Sequence, residues 1–406
     1  MRDTGAGQTS SEMGFTAQET TRYSRQLLLP ELGAAGQRRL ADARVLVVGA
    51  GGLGSPVLLY LAAAGIGTIG VADPDEVDLS NLARQVVHGQ ADLGRPKVDS
   101  ARDRIAEVNP HVRVETIHRA LEPDSAPDLV RGWDVVVDGT DTFASRYLIG
   151  DACTLVGVPC VWGSVLRFAG QVSVFWSGHG PVYRDLHPVP PPHGSVPSCA
   201  EAGVVGAVCG TIGSLMATEV VKLVTGTGRP LLGRVLVHDA LAGTFRTVVL
   251  RVDPTAAAVT AVSGSVGSGS AARPVTSDVV TADPPRTVGP EVTEDLPSVS
   301  AAQLRDRLAA RAAGTDEFVL VDVREPGERA INAIPGSVRV PLGALLAGMA
   351  DTELDPVVPV VLHCKTGRRS AQALAALRAG GRIGDVHLEG GITAWLDTTG
   401  SAQARY

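Results

Sequence analysis

Val45–Ala72 reads VLVVGAGGLGSPVLLYLAAAGIGTIGVA, and Asp73 closes the stretch. Val45–Val48 is a short β-branched apolar run of the kind that forms a buried parallel strand. Gly49, Gly51 and Gly54 follow as G-x-G-x-x-G. The first glycine lets the chain turn, the second lets backbone approach a phosphate, and the third lets a helix pack closely on the strand. Leu53–Ala64 continues as that helix, Gly65 stops it, and Ile69–Ala72 is a second strand. Asp73 then stands where a mononucleotide fold holds a ribose hydroxyl. The stretch is uncharged, as a membrane span would be, but its seven glycines, its proline and its strand–turn–helix rhythm argue against one. It reads as a nucleotide site.

A chain of 406 residues has room for two or three domains around that core. The net charge of −7 argues against nucleic acid or an anionic membrane as the main partner. Cysteines at 153, 160, 199, 209 and 364 form no C-x-x-C pair, which suits reduced thiols better than a disulfide framework. The opening MRDTGAGQTSSEMG lacks the apolar core of a secretory signal, so a soluble, cytoplasmic protein is expected.

Residues 1–18 read as a disordered polar tail and 19–252 as the α/β nucleotide domain. Residues 253–296, rich in Ala, Val, Thr, Ser, Gly and Pro without periodicity, read as a flexible linker. Residues 297–406 read as a smaller α/β domain. Within the first domain, the strand Val135–Val137 runs into Asp138-Gly-Thr-Asp141, a polar loop at a strand's carboxyl end, where open α/β sheets bind ligands. Gly210–Thr225 is a helix with Ile212, Leu215, Met216, Val220 and Leu223 on one face.

A lone glycine fingerprint serves dinucleotides more often than anything else. The polar loop Asp73-Pro-Asp75-Glu-Val-Asp-Leu-Ser80-Asn81-Leu-Ala-Arg84-Gln85 narrows the choice, with Lys97 and Asp141 at the ends of later elements. Cations for a triphosphate, a carboxylate for Mg²⁺ and no dedicated base are what carboxylate activation by ATP needs.

Residues 20–250 resemble the ubiquitin-activating-like adenylyltransferases that act on small sulfur-carrier proteins, the molybdopterin-synthase adenylyltransferases and their sulfurtransferase fusions among them. The resemblance rests on Arg22-Tyr-Ser-Arg25-Gln, GAGGLGSP, the SNLxRQ loop, Gly94-Arg-Pro-Lys97-Val, DGTDTFxxR ending at Arg146, PSCAEAGVVG and ATEVVKL. It implies a Rossmann-like domain with a mixed sheet. It implies that Gly49, Gly51, Gly52, Asp73, Ser80, Asn81, Arg84, Lys97, Asp141 and Thr142 line an ATP site, with Arg84 and Asp141 catalytic and Mg²⁺ held by Asp141. It also implies a homodimer in which Arg25 reaches the partner's nucleotide. The reaction implied is adenylation of the C-terminal glycine of a ubiquitin-like carrier ending Gly-Gly, with release of pyrophosphate.

Many members of that family hold structural zinc with two C-x-x-C pairs, the first just after the residues matching Tyr183-Arg184. Here that place reads Asp185-Leu186-His187, and the second pair's place reads Thr255-Ala-Ala-Ala-Val259, so no zinc is expected. His187 and His193 are expected to be solvated. Cys199, in Pro197-Ser-Cys-Ala-Glu-Ala-Gly, matches the family's reactive cysteine and is an expected nucleophile. Cys153, Cys160 and Cys209 read as buried apolar residues.

In the second domain, Leu362-His-Cys364-Lys365-Thr366-Gly367-Arg368-Arg369-Ser370 sets a cysteine between a buried strand and a helix. Loop amides, the helix N-terminus and three cations favour the charged sulfur that a persulfide carrier needs. Tyrosine phosphatases carry Cys-x5-Arg for a larger tetrahedral group, whereas the spacing here is Cys-x4-Arg. With Leu320-Val-Asp322-Val-Arg324-Glu325, Ile334-Pro-Gly336 and Leu388-Glu-Gly390-Gly391-Ile-Thr-Ala-Trp395, residues 297–400 resemble a rhodanese. Asn332-Ala333 departs from the Gly-His usual there, at a position that supports the fold more than the chemistry. The two resemblances imply one sequence of events: adenylation, then sulfur transfer from a persulfide on Cys364, with thiosulfate or a cysteine desulfurase as donor. An NAD-dependent oxidoreductase fused to a phosphatase-like module would leave SNLxR, Lys97 and the Cys-x4-Arg spacing without a task.

Overall fold

The structure, a computed structural model, describes residues 14–191, 203–256, 258–262, 296–346, 354–355, 357–401 and 403. The chain divides into two compact units on either side of the stretch 263–295. The first unit is built on β1 (Arg44–Val48), β2 (Thr68–Ala72), β3 (Arg113–Ile117), β4 (Val135–Asp138), β5 (Cys160–Leu166), β6 (Ala169–Phe175), β7 (Arg234–Asp239) and β8 (Thr244–Val249). These strands form one sheet in the order β3-β2-β1-β4-β5-β6-β7-β8. The pairs from β3 through β5 are parallel, and β5 to β8 pair antiparallel, so the sheet is mixed.

Strand β1 is apolar throughout because both faces of the sheet are covered. Val45 and Val47 join a core with Leu58, Leu61 and Ile105, while Leu46 and Val48 join one with Tyr147, Ile149 and Trp162. The 20-residue helix Gly206–Thr225 is long and apolar enough to cross a membrane by length and composition alone. Its apolar face is instead spent on the sheet. A Cβ at Gly163 would run into the Met216 sulfur, one at Gly170 into Ile212, and one at Gly213 into Pro56 of the helix Gly54–Ala64. Three glycines thus bring this helix within backbone distance of β5, β6 and its neighbouring helix.

The strand order turns back between β1 and β4, so the crevice at their carboxyl ends is the topological switch point of the sheet. Gly49, at φ +92°, makes the turn out of β1, and a Cβ at Gly54 would collide with the Gly49 carbonyl. Helix Phe143–Val156, which the sequence reading does not mark, leaves β4 through the loop Gly139–Thr142. It is buried on most sides, from Arg146 to Cys153 without a break, and so shows no amphipathic stripe.

Residues 14–18, expected to belong to a disordered tail, are part of the folded unit. The helix Ala17–Leu27 opens with a capping box between Thr16 and Glu19, and Phe15 is buried edge-on to Tyr23. Residues 1–13 lie outside the described residues.

The second unit holds β9 (Ser298–Val299), β10 (Val319–Asp322), β11 (Val338–Arg339), β12 (Val360–His363) and β13 (Val386–Leu388). They form an all-parallel sheet in the order β11-β10-β12-β13-β9. Val321, Val360 and Leu362 face one core, and Leu320, Val361 and Leu388 the other. Central β12 delivers Cys364 at its carboxyl end, directly before the helix Arg368–Ala379.

Candidate active sites

A cavity of about 380 Å³ opens at the switch point of the first sheet. Gly49, Gly51, Gly52, Asp73, Asn81, Arg84, Lys97, Asp141 and Thr142 all line it, although they come from four separate segments of sequence. Ser80 and Arg25 do not line it. The Ser80 amide and hydroxyl both bond to Asp78 Oδ1, at 2.8 and 2.6 Å, capping the turn that carries Asn81. Arg25 is exposed near the end of its helix.

Asp73 is 5% exposed, with Oδ2 accepting from the Ala50 amide at 2.7 Å and Oδ1 from the Asp75 amide at 2.9 Å. Burial pushes its carboxyl above the usual carboxylate range, against the pull of Lys97. Lys97 is itself buried, with Nζ 2.8 Å from Asp75 Oδ2 and 3.9 Å from Asp73 Oδ1. Arg84 donates to the Ser80 carbonyl at 3.2 Å. Asp141 and Thr142 are exposed at the rim, where the Thr142 hydroxyl caps the helix Phe143–Val156 through the Ser145 amide.

Several residues of this site were not singled out in sequence. Arg146 lines the cavity and donates to the Thr140 carbonyl at 3.2 Å. Gln85 also lines the cavity and is buried, with its Oε1 lacking a hydrogen-bond partner in the protein. Cys209 also contributes to the wall, since a Cβ at Gly52 would lie 3.0 Å from its sulfur. Behind the cavity, Asp138 is fully buried and its carboxyl is pushed up by desolvation. It accepts from both the amide and the hydroxyl of Thr140 and so shapes the loop leading to Asp141.

The donor set fits a nucleoside triphosphate. Glycine backbone is open at the helix start, an acid stands at the end of β2, three cations converge, and a buried acceptor lacks a protein partner. The volume is also within the usual range of about 300–1,000 Å³ for small-ligand sites.

His187 corrects one expectation. Instead of being solvated it packs on Phe143, Trp162 and Tyr183, with ring centroids 5.2 to 6.1 Å away. Burial, aided by Arg146, pushes its pKa down to about 4. The neighbouring Asp185 does the tying at the place of the first cysteine pair. Its Oδ2 accepts from the Val182 amide at 2.7 Å and its Oδ1 from the Asp253 amide at 2.8 Å, joining two distant segments. Among the described residues no cluster of three or more His, Cys, Asp or Glu is placed to hold a metal ion. His193 and Cys199 lie outside the described residues.

In the second unit Cys364 is buried, and its sulfur accepts from the Gly367 amide at 3.1 Å and the Ser370 hydroxyl at 3.6 Å. Gly367 sits at φ +93°, and a Cβ there would press on the Gly390 amide at 3.1 Å. The Ile392 amide holds the Cys364 carbonyl at 2.8 Å, so the Gly390-Gly391 turn fixes the loop from below. Lys365 and Arg369 are partly exposed, and Thr366 and Arg368 are exposed.

Beneath lies a buried ion pair in which Arg324 bonds Asp322 through Nε and Nη2, at 2.8 and 2.7 Å. Asn332 completes it, offering Oδ1 at 2.8 Å and its carbonyl at 2.9 Å to the same guanidinium. This departure from the usual Gly-His therefore serves the fold, as expected. His363 is wholly buried, with neither ring nitrogen hydrogen-bonded, and desolvation pushes its pKa down to about 4.

Comparison with known proteins agrees with both geometries. The profile of the ThiF family matches residues 23–257, and that of the rhodanese-like domain matches residues 300–398. The chain is 48% identical to the probable adenylyltransferase/sulfurtransferase MoeZ of Mycobacterium tuberculosis, covering 94% of each chain. It is 39% identical to adenylyltransferase and sulfurtransferase MOCS3 of Bos taurus, covering 94% of this chain and 86% of that one. Over 247 residues it is 49% identical to a sulfur carrier protein adenylyltransferase of Thermus thermophilus, covering 60% of this chain and 91% of that one. Among solved structures, E. coli MccB with MccA-N7isoASN shares the fold at 20% identity and a TM-score of 0.54, over 60% of this chain and 75% of that one. A nucleotide cavity at the switch point of one sheet and a cradled cysteine at the centre of another thus sit in a chain that belongs to the ThiF family and carries a rhodanese-like domain behind its ThiF domain.

Proposed function

We propose that the chain is an adenylyltransferase and sulfurtransferase that activates a ubiquitin-like sulfur carrier with ATP and then converts its C-terminal carboxylate to a thiocarboxylate. The observation that carries the reading is the convergence of Asp73, Arg84, Lys97 and Asp141 on one cavity, in a chain that also holds a cradled Cys364.

In the first step a carboxylate oxygen of the carrier's terminal glycine attacks the α-phosphorus of ATP, and pyrophosphate leaves. Two negative partners must meet, so the work is charge neutralisation and alignment rather than proton transfer. Lys97 exchanges Asp75 for phosphate oxygens, Arg84 and Arg146 cover the rest of the charge, and Asp73 holds the ribose. Asp141 would hold Mg²⁺, which supplies further neutralisation of the triphosphate when bound. Arg25, exposed and outside its own cavity, is free of that site to serve the nucleotide of a second copy in a homodimer.

In the second step the outer sulfur of a persulfide on Cys364 attacks the acyl carbon, and AMP leaves. Cys199 then attacks the Cys364 sulfur of the acyl disulfide, forming a Cys199–Cys364 disulfide and releasing the thiocarboxylate. A cellular thiol reduces that disulfide. Four free cysteines among the described residues suit the reducing cytoplasm in which such a cycle runs. Asp185 stands in for the zinc clasp, so no zinc is required.

The test is pyrophosphate exchange with carriers ending Gly-Gly, followed by mass spectrometry of the carrier after ATP and thiosulfate. Exchange that does not depend on a carrier, or a carrier mass that never shows sulfur for oxygen, would refute the reading.

A further inference from the structure

Glu328 lies on the helix Pro326–Ile331, which follows β10, whereas the sulfur loop follows β12. It is 7% exposed. Both of its carboxylate oxygens accept from Arg369, Nη1 to Oε2 and Nη2 to Oε1, each at 2.7 Å. Oε2 also takes the Glu325 amide at 3.1 Å, which fixes the carboxylate to the start of its own helix. Paired parallel bonds of this kind are the strong, geometrically specific form of the Arg–carboxylate contact. The Arg369 side chain is 18% exposed in that arrangement. Of the three cations that the loop sequence sets around Cys364, one is therefore held as a neutral pair by a residue from another element.

We propose that Glu328 is a positioning residue that sets the donor preference of the sulfur loop. Holding Arg369 neutral lowers the loop's attraction for the thiosulfate dianion and favours a donor of low charge, an alkyl or protein persulfide. The inference rests on the reading of Cys364 as the persulfide carrier. With either donor the Cys364 thiolate attacks the outer sulfur, the donor's S–S bond breaks, and the electron pair leaves on sulfite or on a thiolate. The chemistry gained on Cys364 is the same, and the charge brought to the loop differs.

The experiment compares full-length wild type, Glu328→Gln, Arg369→Gln and the double variant. Sulfur transfer to cyanide is measured from thiosulfate and from cysteine persulfide, with the Cys364 persulfide followed by mass. Glu328→Gln frees a positive charge and is expected to raise kcat/KM for thiosulfate about five- to tenfold, chiefly through KM. Added salt should shrink that gain, and the persulfide donor should respond little. Arg369→Gln leaves Glu328 uncompensated and should slow thiosulfate. The double variant restores a neutral pair and should regain most of that loss.

If the double variant stays as slow as Arg369→Gln, Arg369 binds the donor directly and the proposal is overturned. It is equally overturned if Glu328→Gln slows both donors alike. Absence of a Cys364 persulfide in wild type sinks the underlying reading as well. A persulfide that forms with no separation among the variants sinks this inference alone.

Discussion

His88 Nε2 lies 2.9 Å from the carbonyl oxygen of Ala50, inside the glycine turn, while its Nδ1 lies 2.8 Å from the Ser100 hydroxyl. A carbonyl only accepts, so Nε2 donates there and the Ser100 hydroxyl donates to Nδ1. Burial pushes the His88 pKa down, which keeps the ring in this neutral form. The Ala50 amide is meanwhile held by Asp73 at 2.7 Å. One residue of the phosphate-approaching turn is thus pinned from both sides, by a histidine and by the acid assigned to the ribose.

Replacing His88 with Ala leaves the Ala50 carbonyl unpaired and the turn loose, at a cost of about 1–3 kcal/mol. The expected result is a higher KM for ATP in pyrophosphate exchange, with thiosulfate-to-cyanide transfer untouched. Gln at this position, able to donate one bond, should recover part of the loss. An ATP KM equal to wild type in the Ala variant would show that the pinning is unimportant.

Asp141→Ala is expected to abolish adenylation while sulfur transfer to cyanide continues. The carboxylate stands exposed at the rim of the cavity, at the carboxyl end of β4, where a metal-holding group belongs. Pyrophosphate exchange at a near-normal rate in this variant, across a range of Mg²⁺ concentrations, rules the assignment out.

The Asp185 clasp predicts that the purified protein carries no stoichiometric zinc and keeps its fold in chelator. Asp185→Ala removes two bonds to backbone amides, from Val182 and Asp253, and should cost about 1–3 kcal/mol in the first unit. Elemental analysis and chemical denaturation check both halves. Zinc near one atom per chain, or unfolding on chelation, contradicts the reading.

The parallel core was legible because apolar runs such as Val45–Val48 and Val135–Val137, with glycine punctuation, can be little else than buried strands. The site was legible to the extent that its residues stand next to chain turns. Gly49 to Gly52, Asp73 and Asp141 follow the ends of strands and Lys97 opens a helix, and the sheet order gathers those turns. What sequence could not show was which side chains turn inward from the first turn of a helix. Arg146, the last residue of the DGTDTFxxR motif, and Cys209 reach the cavity from such positions. His187 was misjudged for a related reason: its aromatic partners, Phe143 and Trp162, are remote in sequence and invisible to local composition.

Stability of the second unit should fall in mild acid. His363 has a folded pKa of about 4 against an ordinary 6.5, because desolvation of the wholly buried ring outweighs the pull of Asp322, whose Oδ2 lies 3.8 Å from Nε2. Above pH 6.5 the ring is neutral in both states and adds no pH dependence. Below that, the unfolded chain binds a proton that the folded unit refuses until about pH 4, so stability drops across the window by roughly 3 kcal/mol at most. Hydrogen-exchange protection of residues 360–400, followed with pH, should show that slope, and His363→Leu should flatten it. An unchanged slope in the variant assigns the acid sensitivity elsewhere.

The two proposed sulfur residues should fail in different ways. Cys364→Ala removes the atom that Gly367 and Ser370 cradle, so no persulfide forms and no thiocarboxylate appears from thiosulfate. Adenylation of the carrier belongs to the other unit and should continue in that variant. Cys199→Ala should be milder, slowing release of the thiocarboxylate or being bypassed by added sulfide or thiol. Its only charged near neighbour in sequence is Glu201, which disfavours a thiolate. Its contribution is therefore expected to come from effective concentration beside the acyl disulfide rather than from an activated sulfur. A single-turnover assay, with carrier adenylate and thiocarboxylate followed by mass, separates these steps. The relay is wrong if Cys199→Ala blocks adenylation itself, or if Cys364→Ala still moves sulfur from thiosulfate at the normal rate.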